Sequence, residues 1–199
     1  MPPGPSAGRP APPPSQTGAT MTTAFCPDAP TENLLSAPFD ARLFRRVLGL
    51  FPTGVTIVTT WDAEGRPVGA TVSSFNSVSL TPPLVLFSLA CDSAACEVFS
   101  GGGPLAIHVL GHEQEALSNR FARGGAEKWA DLVYGTGELG SPLLEGALAT
   151  FECAPYARYP GGDHTIFVCE VRGLRFRDGE PLVFSGGRYR ALAAQEAFA

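Results

Sequence analysis

The chain has 199 residues, 44% of them hydrophobic and 17% charged, which fits one globular domain with a proper core plus a tail. A formal net charge of -5 argues against an exposed nucleic-acid surface, which needs a basic patch, and no apolar run approaches a membrane span in length. The five cysteines, Cys26, Cys91, Cys96, Cys153 and Cys169, are odd in number and form neither a CxxC pair nor a zinc spacing, so they are expected as reduced thiols of a cytoplasmic protein without a metal site.

Residues 1–37 are dominated by Pro, Ala, Gly, Ser and Thr, with Pro12, Pro13 and Pro14 in a row. Such a segment cannot bury enough apolar surface to offset the entropy of ordering, so a disordered tail is expected there and a single domain over 38–199. Asp40 is a good N-cap for a helix carrying Leu43, Phe44, Val47 and Leu48 at helical spacing, and Gly49 suits the position past its end. Pro52, Thr53 and Gly54 make a turn into a β-branched strand over 55–61, and residues 62–66 connect it by a hairpin to a strand over 67–75. The run 84–89 is a further, mostly apolar strand.

Asp92 or Ser93 can cap a brief helix through Phe99, which glycines 101–103 end. Residues 105–110 read as a strand and 112–122 as a helix, with Ala116, Leu117 and Phe121 on one side. Two longer strands are expected over 143–156 and 164–177, the second turning at Asp178-Gly179 into 182–185, and Gly186 and Gly187 lead on to Tyr189. Many short strands with hairpin turns and few helices predict a mainly β protein, an antiparallel β-barrel and not an alternating parallel sheet.

The most informative stretch is 71–83, Thr-Val-Ser-Ser-Phe-Asn-Ser-Val-Ser-Leu-Thr-Pro-Pro. On one strand Thr71, Ser73, Ser77 and Ser79 share a face with Phe75, and Val72, Val78 and Leu80 take the other. One reading is a half-buried strand with a wet face; the other is a ligand cleft lined by small hydroxyls, favoured by the absence of any charge between Pro67 and Leu89. There is no GxxxxGK[ST], no GxGxxG opening a helix and no GxSxG elbow, so a nucleotide, if bound, sits on a barrel. His108 and His112 straddle a strand end and read as unrelated histidines. His164, after Gly161, Gly162 and Asp163, is either an exposed residue of a capped turn or a functional group at a loop edge.

These residues carry a resemblance. Pro52-Thr53-Gly54-Val55, Gly69-Ala70-Thr71-Val72-Ser73-Ser74-Phe75, Ser77-Val78-Ser79 with Pro82-Pro83, Arg120-Phe121-Ala122, Gly162-Asp163-His164 and Gly187-Arg188-Tyr189 occur in the order found in the flavin reductase-like family. The chain resembles that family from about Phe39 to Leu192, including the short NAD(P)H:flavin oxidoreductase components of two-component monooxygenases. The resemblance implies an antiparallel Greek-key split β-barrel of the FMN-binding type. It implies hydride transfer from NADH or NADPH to N5 of free FMN or FAD, with FMN placed ahead of FAD and NADH ahead of NADPH. Reduced flavin would pass to a partner monooxygenase, and a homodimer is expected, with neither nucleic acid nor membrane as partner.

The same resemblance assigns flavin contacts to Pro52, Thr53, Gly54, Thr71, Val72, Ser73, Ser74, Ser77, Val78, Ser79 and Phe121, and a phosphate loop to Cys91, Ser93 and Ala94. It assigns the nicotinamide side to Gly162, Asp163, His164 and Tyr189. No acid-base catalyst is needed, since such chemistry rests on positioning the two rings. Asp92, before the phosphate loop, and His108, where the family commonly has Asn, depart from the pattern. Two other readings share the same residues: an oxidoreductase with tightly bound FMN and a different acceptor, and a flavin-binding module without turnover.

Overall fold

The computed structural model describes residues 40–192; the tail expected over 1–37 lies outside them. Helix α1, Ala41–Leu48, opens as its sequence predicts, with the Asp40 carboxylate accepting from the Arg42 N–H at 2.8 Å and Gly49 closing the last turn. A seven-stranded antiparallel sheet follows, built from β2 (Thr56–Trp61), β3 (Pro67–Val72), β4 (Asn76–Leu80), β5 (Pro83–Ala90), β6 (Leu105–Val109), β9 (Ala149–Gly161) and β10 (His164–Phe176). Its order is β3-β2-β6-β9-β10-β5-β4. Short β1 (Thr53–Gly54), β11 (Val183–Ser185) and β12 (Arg188–Arg190) form a second sheet, and β7 (Tyr134–Thr136) pairs with β8 (Pro142–Leu144). Helices α2 (Ala94–Ser100) and α3 (Glu115–Ala122) and 3-10 turns at His112–Gln114 and Ala126–Trp129 fill the connections.

Two sequence expectations are corrected. The strand expected over 67–75 ends at Val72, and β4 lies at the opposite edge of the sheet from β3, so Thr71, Ser73, Ser77 and Ser79 do not share one face. The side chain of Ser74 is the reason for the break: its hydroxyl accepts from the Ser88 N–H at 2.9 Å and contacts the Ser88 carbonyl at 3.3 Å, which ties this bend to β5. The strand expected over 143–156 is two strands, β8 and β9, separated by a turn at Gly146, whose φ of 77° is one that glycine adopts without strain.

Strand β2 lies between two apolar clusters, which is why nearly all of it is buried. Val58 belongs to one, with Phe87, Phe99, Ile107 and Phe167; its neighbour Ile57 belongs to the other, with Leu110, Phe121 and Leu182. Phe87 and Phe167 are directly opposite in the β5–β10 ladder and stack at 5.1 Å, a cross-strand pair that fixes the register. Buried His108 bridges β2 and β8, with Nδ1 3.1 Å from the Ile57 carbonyl and Nε2 accepting from the Leu144 N–H at 3.1 Å.

Candidate flavin site

The sheet is open at β3, which pairs with β2 alone. The Val72 carbonyl accepts from the hydroxyl of its β2 partner Thr56, so Val72 points its polar backbone toward β2. In an antiparallel ladder a residue's N–H and C=O point the same way and neighbours alternate. Gly69 and Thr71 therefore turn their backbone groups to the open edge, and the Gly69 carbonyl accepts there from Lys128 Nζ at 3.2 Å.

Along this edge runs a cleft of about 1070 Å³. Its lining includes Ser88, Ala90, Ser93, Ala94 and Val98 from the end of β5 and from helix α2 and the turn before it, and Phe121, Arg123, Lys128 and Trp129 from α3 and the segment after it. Helix α3 is held against β3 by the Thr71 hydroxyl, which donates to the Ser118 carbonyl at 2.7 Å. Gly69 permits the closest approach: a Cβ there would meet the Phe121 ring at 2.6 Å.

The hydroxyls expected to face a ligand divide into two sets. Those of Thr71, Ser74 and Ser93 are engaged in the protein, the last capping α2 by accepting from the Cys96 N–H at 3.2 Å and donating to the Ala90 carbonyl at 2.8 Å. The Ser73 and Ser88 hydroxyls have no partner among the described residues and remain available, with the β3 edge, to a ligand.

His164 lines the serine end of the cleft. It opens β10 opposite Ala90, after a turn in which Gly162 has a φ of 75°. Because a carboxylate only accepts, His164 Nδ1 donates to Asp163 Oδ1 at 2.7 Å, which leaves Nε2 free; this bond holds the Asp163 carboxyl below the usual range.

The cleft thus gathers Thr71, Val72, Ser73, Ser74, Ser93, Ala94, Phe121 and His164. Pro52, Thr53 and Gly54 lie outside its lining, around β1, as do Ser77, Val78 and Ser79 on β4, Cys91, and Gly162 and Asp163 in the turn behind His164. Tyr189 also stands outside, its hydroxyl 2.8 Å from that of Ser118 on α3. Ser88, Arg123, Lys128 and Trp129 line the cleft but escaped the sequence reading. For Lys128 the sequence offers one signal: it is the chain's single lysine.

Residues 48–193 match the flavin reductase like domain. The chain belongs to the flavin reductase-like family. It is 48% identical over 156 residues to an FMN reductase (NADH) of Agrobacterium fabrum, covering 78% of this chain and 88% of that one. It is 40% identical over 154 residues to the reductase subunit of a flavin-dependent monooxygenase from Rhodococcus jostii, covering 77% and 78%. Among solved structures, the NADH:FAD oxidoreductase of Streptomyces globisporus C-1027 superposes with a TM-score of 0.76 at 40% identity, covering 86% of this chain and 98% of that chain.

The residues present fit a flavin. An open strand edge offers N–H donors and C=O acceptors to the rim of a planar heterocycle, and free serine hydroxyls suit a polyol chain. Cationic side chains in the same cleft of this flavin reductase-like chain suit phosphate. Trp129 adds an indole N–H that is buried without an acceptor among the described residues.

Proposed function

We propose that this chain is an NADH-dependent reductase of free FMN or FAD that supplies reduced flavin to a partner monooxygenase. The observation that carries the reading is the meeting, in one cleft, of the open β3 edge and His164. When bound, the flavin supplies the hydride acceptor and the nicotinamide the donor.

The chain's own contribution is orientation. The β3 edge, Ser73 and Ser88 set the plane and register of the flavin ring, and the β3 N–H groups are donors where negative charge is to be held. His164, its tautomer fixed by Asp163, presents Nε2 to the nicotinamide, and no side chain has to carry a proton to the reacting carbon. Pro52, Thr53, Gly54 and the β4 residues Ser77, Val78 and Ser79 take flavin contacts only at the periphery.

The reductase acts as a homodimer. Support comes from large apolar side chains in solvent, among them Leu50 at 75%, Phe51 at 74% and Leu80 at 91% exposure, of which Leu80 ends the edge strand β4.

NADH oxidation by the purified protein, followed at the nicotinamide absorbance band with and without FMN, FAD or riboflavin, tests the activity. Turnover that requires added flavin and saturates with it is the expected result. Copurifying flavin that NADH leaves oxidised overturns the reading.

A further inference from the structure

Tyr189 stands outside the cleft, and its hydroxyl is engaged on helix α3, where a direct contact with the nicotinamide would need it free. It pairs with Phe184 across the β11–β12 ladder, and the two rings meet edge to face at 5.4 Å, so the second sheet fixes where the phenol points. The Tyr189 O–H donates to Asn119 Oδ1 at 3.3 Å. A phenol has one proton to give, so the Ser118 hydroxyl is the donor in the 2.8 Å bond between Ser118 and Tyr189.

Ser118 is thereby held from two sides. It is fully buried, its hydroxyl is bound to Tyr189 on the second sheet, and its carbonyl accepts from the Thr71 hydroxyl on β3 at 2.7 Å. Among the described residues the Thr71 bond is the one direct hydrogen bond between β3 and α3, and Tyr189 is the single partner of the Ser118 hydroxyl. Serine is a poorer helix residue than alanine, so a buried serine in α3 is explained by that bond. One bond leaves a short helix free to roll about its axis; a second, from another sheet, stops the roll. Phe121 follows Ser118 by three residues, so the two share a face of α3, and both are buried. The rotation of α3 consequently decides where the Phe121 ring stands against Gly69, at the β3 edge of the cleft.

We propose that Tyr189 is a positioning residue of the flavin cleft: through Ser118 it sets the rotation of α3, and with it the place of Phe121 beside the β3 edge. It touches neither the flavin nor the nicotinamide. The inference rests on the flavin reductase reading for its ligand, and it gives a function to the second sheet, which takes no part in lining the cleft.

The test compares the full chain with its Y189F, S118A and Y189F/S118A variants by flavin fluorescence titration with FMN and FAD, NADH oxidation kinetics and denaturant unfolding. Y189F keeps the ring against Phe184, and the Ser118 hydroxyl it releases can bond back to the preceding turn of α3. The flavin dissociation constant is expected to rise about three- to tenfold in each single variant, the worth of one hydrogen bond. Because both substitutions remove the same bond, the double variant should match Y189F and not multiply the two effects. The visible spectrum of the bound flavin shifts in all three as the aromatic ring beside it moves, and the KM for NADH at saturating flavin stays at the wild-type value.

A raised KM for NADH with flavin affinity intact overturns the inference, since Tyr189 then meets the nicotinamide itself. So does a lower denaturant midpoint with flavin affinity and spectrum both unchanged, which makes the bond a matter of stability alone. Effects that multiply in the double variant overturn it as well, because Tyr189 then acts by a route that bypasses Ser118. A wild type that binds flavin yet oxidises no NADH removes the reductase reading, and the flavin dissociation constants of the variants still decide the role of Tyr189.

Discussion

The imidazole of His108 carries its proton on Nδ1, because the Ile57 carbonyl only accepts and the Leu144 amide, which donates to Nε2, leaves that nitrogen bare. Burial is the first cause of its low pKa of about 4; the bond to Ile57 works weakly the other way. In the unfolded chain the ring titrates near its ordinary 6.5. The stability it confers is therefore complete above about pH 6.5 and is lost as the pH falls toward 4, by about 2 kcal/mol between pH 6.5 and 4.5. Denaturant unfolding of wild type and His108→Gln at those two pH values checks this, since the variant lacks that increment of pH dependence while losing about 1–3 kcal/mol at pH 7 from weakened bridging. Equal pH slopes in both proteins would refute the assignment. Under the proposed function, His164→Ala is expected to raise the KM for NADH severalfold with little change in flavin dissociation constant. A parallel loss of flavin affinity in fluorescence titration would show that His164 serves the flavin instead.

At the level of elements, the cleft exists because β3 keeps a free edge while α3 is pressed against it, and Gly69 sets the distance between them. In Gly69→Ala the new methyl meets two Phe121 ring atoms at 2.6 and 2.8 Å, and that ring is buried and packed edge-on against Trp129. Overpacking of this kind costs about 1–3 kcal/mol, and the displaced α3 also draws Lys128 from the β3 edge. A lower denaturant midpoint together with weaker flavin binding is the expected result; unchanged values of both would mean that α3 does not gauge the cleft. The sequence showed the elements well where period and punctuation agree, as in α1 with its Asp40 cap and in β10 after the Gly162 turn. It concealed the break at Ser73 and Ser74, since a serine that clasps a neighbouring strand and a serine that faces a ligand look alike in one dimension. The same ambiguity hid Ser88 and Lys128, whose place in the cleft depends on long-range packing of β5 and of the segment after α3 against β3.

For the whole molecule, the question is what covers the apolar side chains that the fold leaves in water. Helix α1 buries none of its residues, and Leu50 and Phe51 just after it are about three-quarters exposed, at 75% and 74%. Each such side chain, if buried by a second copy, contributes about 1.5–3 kcal/mol before the entropy of association is subtracted. A homodimer accordingly links folding to association, so the thermal midpoint of the wild type should rise with protein concentration, and sedimentation should give twice the monomer mass. The variant F51E/L80E places charges where burial would require desolvating them, and it is expected to sediment as a monomer with a midpoint that no longer depends on concentration. Because neither side chain lines the cleft, its flavin binding separates assembly from site integrity: retained affinity means that one copy suffices to build the cleft. Affinity lost together with the dimer means that the second copy completes it. A wild type that sediments as a monomer at every concentration would refute the homodimer and leave these apolar side chains to another partner.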